Sequence, residues 1–285
     1  MAQITAALVK QLREMTDAGM MECKKALTET DGDLDAAVDV LRTRGLAAAA
    51  KKAGRETNEG LIATFVSEDG KIASMIEVNC ETDFVARNEK FVSFANMLAK
   101  AVADNDPKDL DAFKAVTVDG ETIEEKLTEA IHTIGENMNI ARFTRIVSEN
   151  GFVDSYIHMG GKIGVLVELS AVSGDLKACA HDVALQIAAA APIALDQDSV
   201  DPAVIDHEME IYKAQAAESG KPEAIQEKIA TGRLQKFFKE RCLVEQAFVK
   251  DPDKTIKAYV TECGKAAGVE ASVKNFKRFE LGETA

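Results

Sequence analysis

The stretch GLIATFVSEDGKIASMIEVNCETDFVARN, residues 60–88, decides the fold, because its first part returns later in the chain as GFVDSYIHMGGKIGVLVELS, residues 151–170. At a constant offset of 91 the two copies share identical residues: Gly60/Gly151, Gly70/Gly161, Lys71/Lys162, Ile72/Ile163 and Glu77/Glu168. In each copy a run of alternating apolar residues leads to a glycine turn and a second apolar run. This pattern predicts a β-hairpin in both copies.

The first copy carries additional residues after its second predicted strand. A helical pattern follows each hairpin, at Phe91 to Ala103 and at Leu176 to Ala188. There the offset falls from 91 to 85, so the first copy is six residues longer between strand and helix. Because the second copy completes its pattern without these residues, we predict a functional site in the segment Cys80 to Arg87.

Composition limits the class of partner. The chain has 285 residues, 46% hydrophobic and 29% charged, with a net charge of −14, which is typical of a folded globular protein. Excess negative charge disfavours nucleic acid or an anionic membrane as the main partner, since phosphate binding needs clustered Lys and Arg. The five cysteines are widely spaced and form no CxxC pair. With no spanning apolar run and no signal-peptide pattern, we expect a cytoplasmic protein with reduced thiols.

The N-terminal region reads as helical. Apolar periodicity over residues 4–44 predicts three short helices, with Thr5 and Asp17 as N-caps of the first two and Gly45 at the end of the third. We therefore expect a three-helix bundle at residues 1–46. The Ala- and Lys-rich residues 47–58 read as a partly helical linker.

Further along, a helix is predicted from Ile123 to His132 and a strand from Ile140 to Val147, which we expect to enter the second copy. After Pro202 the pattern indicates two helices, Ala203 to Glu218 and Glu223 to Arg241, separated only by Ser-Gly-Lys-Pro. So short a turn makes the helices antiparallel neighbours and predicts an inserted helical hairpin at residues 201–241. Residues 273–281 alternate as a last strand.

Enzyme motifs fail on inspection. His207-Glu208 begins like a zinc-binding helix, but Ile211 stands where the second histidine is needed. Gly160-Gly161-Lys162 lacks the spacing of a phosphate-binding loop and is explained by a hairpin turn. We therefore expect no catalytic residues, no bound metal and no cofactor, and a protein that is not an enzyme.

The segment Thr82-Asp83-Phe84-Val85 allows two interpretations. Thr82 or Asp83 can cap a helix whose Phe84 and Val85 pack into the core. Alternatively, the additional length lets Phe84 project outward and enter a pocket of a partner. Spacing alone leaves both open, and the additional length favours the second.

Met20 and Met21 raise a similar question. Most methionines at helical spacing belong to a core, but two consecutive residues of a helix cannot both face inward. We therefore expect one of the two near the surface, where a flexible, polarizable side chain suits an interface.

Several stretches together resemble one protein family, in the same order along nearly the whole chain. They are LVKQLREMTDAGMMECKKAL (8–27), AAKKAG (49–54), IEVNCETDFVARN (76–88), IGENMNIAR (134–142), GGKIGVLVEL (160–169), SGKP (219–222) and KRFELGE (277–283). With these stretches the chain resembles the bacterial translation elongation factor Ts family.

The resemblance implies an α+β fold with an N-terminal three-helix, ubiquitin-associated-like bundle, a duplicated core of antiparallel sheets plus helices, and an inserted antiparallel helical hairpin. The implied division is a GTPase-binding module at 1–46, a linker at 47–58, core subdomain N at 59–140, core subdomain C at 141–200 and 242–285, and a coiled-coil hairpin at 201–241.

The resemblance also implies a function, guanine-nucleotide exchange on elongation factor Tu, which is bound both with GDP and without nucleotide. Thr82, Asp83, Phe84 and Val85 would enter the GTPase domain near its Mg²⁺ and phosphate site. There Phe84 would act as a wedge and Asp83 would help to displace the Mg²⁺. Further implied contacts are Leu12, Met20 and Met21 with a GTPase helix, and Ile134, Gly135, Glu136, Asn137 and His158 with the partner's later domains.

Two other functions remain open from the residues alone. The N-terminal bundle by itself fits a ubiquitin-associated-like adaptor without exchange activity. An enzyme that uses surface carboxylates would turn over a substrate without any protein partner.

Overall fold

The computed structural model describes residues 4–16, 18–218 and 220–283, which form helices and antiparallel sheets of an α+β fold. Two compact units are present. The first unit contains Met1–Ala63, Ile76–Phe143 and Leu281–Ala285, and the second contains Thr64–Met75 and Thr144–Glu280. Within the described ranges, no helix has both the length and the apolar character needed to cross a membrane.

The N-terminal helices are α1 (Ala6–Thr16), α2 (Met20–Glu29) and α3 (Leu34–Lys52). They pack around one apolar core that contains Val9, Leu12, Cys23, Ala26, Leu27, Ala37 and Leu41. The Leu8 N–H donates to Thr5 Oγ1 at 3.3 Å, so the predicted first cap is confirmed. Asp17, the second predicted cap, lies outside the described residues, and α2 begins after Gly19.

The predicted end of α3 at Gly45 is wrong. The helix continues through an Ala-rich run to Lys52, because alanine is the best helix former. Gly45 instead faces α7 (Ile123–Ile134), where an added Cβ would lie 3.7 Å from His132 Cβ. Gly45 therefore lies at the contact between α3 and α7, at a distance that is ordinary for van der Waals contact. The first part of the predicted linker is helical.

The first sheet has the order β1-β2-β5. Its strands and the elements between them are β1 (Glu59–Val66), β2 (Ile72–Cys80), α4 (Asp83–Ala86), α5 (Glu89–Asn105), α6 (Leu110–Lys114), β3 (Thr117–Val118), β4 (Glu121–Thr122), α7 and β5 (Met138–Val147). The prediction that the strand at residues 140–147 enters the second copy is wrong, since β5 pairs with β2 of the first. An ion pair of 2.8 Å between Arg142 and Glu77 joins these two strands, and the apolar side chains of Met138 and Ile140 are buried.

The second sheet repeats this arrangement, with β6 (Phe152–His158), β7 (Ile163–Leu169) and β10 (Val273–Glu280) in the order β10-β7-β6. All its pairings are antiparallel. In both sheets the second strand of the hairpin is central and a later strand lies beside it. Helices α8 (Leu176–Ala190) and α11 (Ile256–Ala266) share a core with this sheet. The duplication predicted from the two hairpins is therefore confirmed at the level of strand order.

The glycine that opens each hairpin is explained by close backbone contact. A Cβ on Gly60 would lie 2.2 Å from the carbonyl oxygen of Val78, and one on Gly151 would lie 1.6 Å from that of Leu169. Val78 and Leu169 are themselves equivalent residues of the two copies. Both hairpins thus depend on a residue without a side chain at the same position.

The predicted helical hairpin is present as α9 (Pro202–Ala217) and α10 (Glu223–Arg241). Leu234, Phe237 and Phe238 of α10 are buried, with Ile205 and Met209 of α9 packed against them. Beyond the hairpin lie β8 (Ala247–Phe248) and β9 (Asp251–Thr255), which pair with each other. Ser219 of the predicted turn lies outside the described residues.

Replacement of Gly151 by alanine should destabilise the second unit, because the new methyl group must displace the backbone of Leu169. We expect the free energy of unfolding to fall by about 1–3 kcal/mol, as measured by urea denaturation. Gly174→Ala is the matched control, since nothing lies within 4 Å of its added Cβ, and it should change stability by less than about 1 kcal/mol. Equal effects of the two substitutions would contradict the close-contact explanation.

Candidate protein-binding site

The segment that the first copy adds forms a short capped helix, α4, which exposes an aromatic ring. Thr82 is its N-cap, and the Thr82 hydroxyl accepts the Val85 N–H at 3.3 Å. Phe84 is 83% exposed, Val85 is half-buried and Ala86 is buried. The predicted cap is therefore confirmed, whereas packing of Phe84 into the core does not occur.

The exposure of Phe84 is costly for an isolated protein. Burial of a phenylalanine side chain is worth about 1.5–3 kcal/mol, and this ring gains almost none of that in the free chain. Exposed aromatic residues that fill a partner's pocket dominate the binding energy of many interfaces. The ring is thus well placed for use against another protein.

A carboxylate from outside the segment holds the backbone that precedes Phe84. Glu136 Oε2 accepts the N–H groups of Glu81 at 3.1 Å and Thr82 at 3.0 Å, while Oε1 accepts the Thr82 hydroxyl at 2.6 Å. Glu136 follows α7 directly, after Gly135 has ended that helix at a φ of 93°. One side chain therefore fixes both residues that lead into α4.

The contact is reciprocal. Glu81 Oε1 accepts the Asn137 N–H at 2.6 Å and also lies 3.3 Å from the Arg55 guanidinium. Asn137 in turn donates its side-chain amide to the Arg55 carbonyl oxygen at 2.8 Å. The Asn137 N–H bond and then the positive charge of Arg55 hold the pKa of Glu81 below its usual value. We call this pair of carboxylates, Glu81 and Glu136 with the backbone N–H groups that they accept, the carboxylate brace.

Asp83 makes only a weak local contact. Its carboxylate lies 3.2 Å from Arg87 one turn further on, and both side chains are largely exposed. Such surface pairs stabilise a protein by about 1 kcal/mol or less. The carboxylate of Asp83 is therefore held by a weak ion pair next to Phe84 in sequence.

Met20 and Met21 form a second exposed apolar surface. They are 61% and 64% exposed, so the expectation that only one lies near the surface underestimates the exposure. Both stand in the first turn of α2. Met15, near the end of α1, is also exposed, at 55%. Leu12, which the resemblance groups with this pair, is fully buried in the bundle core. Leu12 is therefore not accessible at the surface of the free protein.

Helix α7 joins the bundle to the carboxylate brace within the first unit. His132 Nε2 lies 2.9 Å from the carboxylate of Glu22 in α2, and Arg42 of α3 pairs with Glu125. Lys52 Nζ donates to the carbonyl oxygen of Ile131 at 3.0 Å. The helix that contacts the bundle thus ends two residues before Glu136, which fixes residues 81 and 82. We call residues 81–87 the Phe84 segment.

The remaining site residues are placed as follows. Ile134 is half-buried and Gly135 exposed, whereas Asn137 is 8% exposed and serves the brace together with Glu136. His158, in the second unit, ends β6 and its Nδ1 lies 2.9 Å from the Tyr156 hydroxyl. Sequence reasoning missed Glu81 and Arg55. Glu81 lies inside the added segment, which is the one signal that marked it.

The chain is similar to known proteins over most of its length. Residues 81–283 match the family model described as Elongation factor TS. An elongation factor Ts of Clostridium kluyveri is 52% identical over an alignment of 285 positions, and the alignment covers 98% of this chain and 93% of the relative. The elongation factor Ts of Clostridium perfringens is 53% identical over 283 residues, with the same shares of the two chains.

The chain belongs to the elongation factor Ts family. This is a family of translation elongation factors, and the resemblance read from the sequence is thereby confirmed. The family match begins at Glu81 and therefore includes the whole Phe84 segment and Glu136. The N-terminal bundle precedes it and is covered by the relatives.

The lowered pKa of Glu81 predicts a pH-dependent contribution to stability. A depressed carboxyl pKa stabilises the folded state above the ordinary value of 4.5, and this advantage is lost as pH falls through the lowered pKa. We therefore expect the parent to be more stable than Glu81→Gln at neutral pH, and the difference to shrink below about pH 4.5.

Urea denaturation of both proteins between pH 3 and 7 measures this difference. Glu124→Gln, which alters an exposed glutamate of α7, should change stability by no more than about 0.5 kcal/mol at any pH. A gap between parent and Glu81→Gln that is constant over the whole pH range would contradict the assigned role.

Proposed function

We propose that this protein is a guanine-nucleotide exchange factor that promotes GDP release from translation elongation factor Tu. The observation that carries the proposal is the exposed Phe84 on a capped and braced segment that only one copy of the duplicated core possesses. Membership of the elongation factor Ts family supports elongation factor Tu as the partner.

Exchange needs no bond chemistry from this chain, only a preference for the nucleotide-free partner over its GDP form. Whatever weakens GDP binding must, by reciprocity, weaken binding of the factor when GDP returns. An acceleration of about 10⁴-fold needs about 5.5 kcal/mol of differential stabilisation. Contacts to Mg²⁺ and to the phosphate-cradling backbone hold the nucleotide. Disturbance of these contacts can therefore supply the differential stabilisation.

Two side chains of the Phe84 segment divide this work. The apolar ring of Phe84 enters the partner beside its Mg²⁺ and phosphate site, where its burial repays the exposure seen in the free protein. The carboxylate of Asp83, held loosely by Arg87, competes for the cation or for the groups that bind it. Thr82 and Val85 set the helical turn from which both project.

Other surfaces supply affinity. Residues 1–46 are the docking module, and Met20 and Met21 are its contact. Gly135 and His158, both accessible or partly so, contact the partner's later domains. The net charge of −14 supports a protein partner over nucleic acid or membrane, and the activity belongs in the cytoplasm.

Release of labelled GDP from purified elongation factor Tu tests the proposal. Substoichiometric amounts of the parent should accelerate release catalytically. The Phe84→Ala variant should lower the accelerated rate by roughly 10- to 100-fold, which corresponds to the lost burial of one ring, and should still bind. Val249→Ala, which alters an exposed apolar residue of the second unit, should behave like the parent.

Two outcomes would contradict the proposal in different ways. If Phe84→Ala accelerates release as well as the parent, the wedge is wrongly assigned. If the parent binds the partner but leaves GDP release unchanged, the adaptor without exchange activity becomes the function of this chain.

Joint replacement of Met20 and Met21 by alanine should separate docking from exchange. We expect the dissociation constant of the complex with nucleotide-free elongation factor Tu to rise about tenfold or more, because exposed anchors lose their contact. At saturating factor the release rate should stay within about threefold of the parent's. Leu46→Ala, on an exposed residue of α3, is the control. An unchanged dissociation constant would remove the pair from the interface.

A further inference from the structure

We propose that Glu81 and Glu136 are positioning residues that set the Phe84 segment in its exchange-competent conformation before any partner binds. This inference deepens the proposed function and rests on it for the final step, from a fixed segment to GDP release. The fixing itself concerns the free protein and is measured without elongation factor Tu.

The first argument is the occupancy of the Glu136 carboxylate. Both of its oxygens accept hydrogen bonds from the segment, three bonds in total between 2.6 and 3.1 Å. Hydrogen bonds to an ionised acceptor are about twice as strong as neutral ones. The segment thereby takes three of the roughly four acceptor positions of this carboxylate, which leaves little of it for the direct partner contact that the family resemblance implies. The geometry therefore favours an internal role for Glu136.

The hydrogen bonds of the two carboxylates run in both directions between the two segments. Glu136 accepts backbone N–H groups at residues 81 and 82, and Glu81 accepts the backbone N–H of Asn137. Each carboxylate thus fixes the main chain of the segment that carries the other. The exit of β2 is thus joined to the entry of β5 through residues 55 positions apart in sequence, and neither segment can rotate alone.

The third argument comes from the second copy of the core, which lacks the added residues. There the exit of the central strand also meets the entry of the third strand, but through two serines. The Ser170 N–H donates to the Ser272 carbonyl oxygen, and the Ser272 N–H donates to Ser170 Oγ, both at 2.9 Å. Ser170 directly follows β7 as Glu81 directly follows β2, although at the offset of 91 Ser170 corresponds to Asn79. Long carboxylate side chains occur only where the exposed segment follows.

The short helix α4 has little stability of its own. Four residues make little more than one helical turn, which is unstable in isolation because nucleation of a helix is unfavourable. Without the brace the segment would sample many conformations and the ring would turn toward nearby apolar surface. A segment ordered in advance avoids that entropy cost at the moment of binding. The brace therefore acts on exchange through Phe84.

Amide hydrogen exchange of the free protein tests the fixing directly. In the parent, the amides of Glu81, Thr82 and Asn137 should exchange at least tenfold more slowly than unprotected amides. Glu136→Ala should remove the protection at residues 81 and 82, and Glu81→Ala that at 137. Protection elsewhere in α7 should persist and show that the variants are folded. Unprotected amides in the parent would overturn the proposal, whatever the result of any exchange assay.

A double-mutant cycle tests the functional step. Glu136→Ala alone should slow stimulated GDP release about tenfold, whereas in a Phe84→Ala background it should change the rate less than twofold, since the side chain that it positions is gone. Multiplicative losses would show that Glu136 acts elsewhere and would overturn the positioning role. Glu124→Gln should leave the rate unchanged.

The two failures can be told apart. Protected amides with no GDP release by the parent would leave the fixed segment intact and remove the proposed function. Release by the parent with unprotected amides would keep the function and remove the positioning residues.

Discussion

The carboxylate brace is the interaction on which the exposed Phe84 segment depends. Glu136 stands at the end of α7, and the other contacts of that helix carry the N-terminal bundle through Glu22, Arg42 and Lys52. Because the brace ties residues 81 and 82 to the same helix end, the bundle and the Phe84 segment are attached to one element. The exposed methionines of the bundle and the exposed ring of Phe84 therefore share one supporting helix.

The duplicated core shows that the strand order of each sheet forms with or without the added segment. Both sheets have the same strand order, and the same glycine permits the same close approach at the start of each hairpin. The second copy joins the exit of its central strand to the entry of its third strand with two serines, and no aromatic residue follows Ser170 directly. A difference between two otherwise equivalent exits therefore isolates what one of them was given in addition: a capped turn, an exposed ring and two long carboxylates to hold them.

Local pattern predicted the hairpins, the duplication, the paired helices after Pro202 and the added segment, because apolar periodicity and turn residues report on the nearest neighbours in the chain. The carboxylate brace was not predicted, because it joins residues about 55 positions apart. Nothing in the local sequence of Glu136 distinguishes it from a surface glutamate. The end of α3 was predicted wrongly at Gly45 for a related reason. In the sequence, a glycine that ends a helix cannot be told from a glycine at the contact with a second helix. The burial of Leu12 likewise follows from packing of three helices.

The central claim is that Phe84 enters the partner beside its nucleotide site. The most direct measurement places a photo-reactive phenylalanine analogue at position 84, irradiates the complex with nucleotide-free elongation factor Tu and maps the cross-links by mass spectrometry. The account predicts cross-links to the GTPase domain next to the residues that hold Mg²⁺ and phosphate, and their loss when GDP and Mg²⁺ are added in excess. Cross-links confined to other surfaces of a fully formed complex would contradict it.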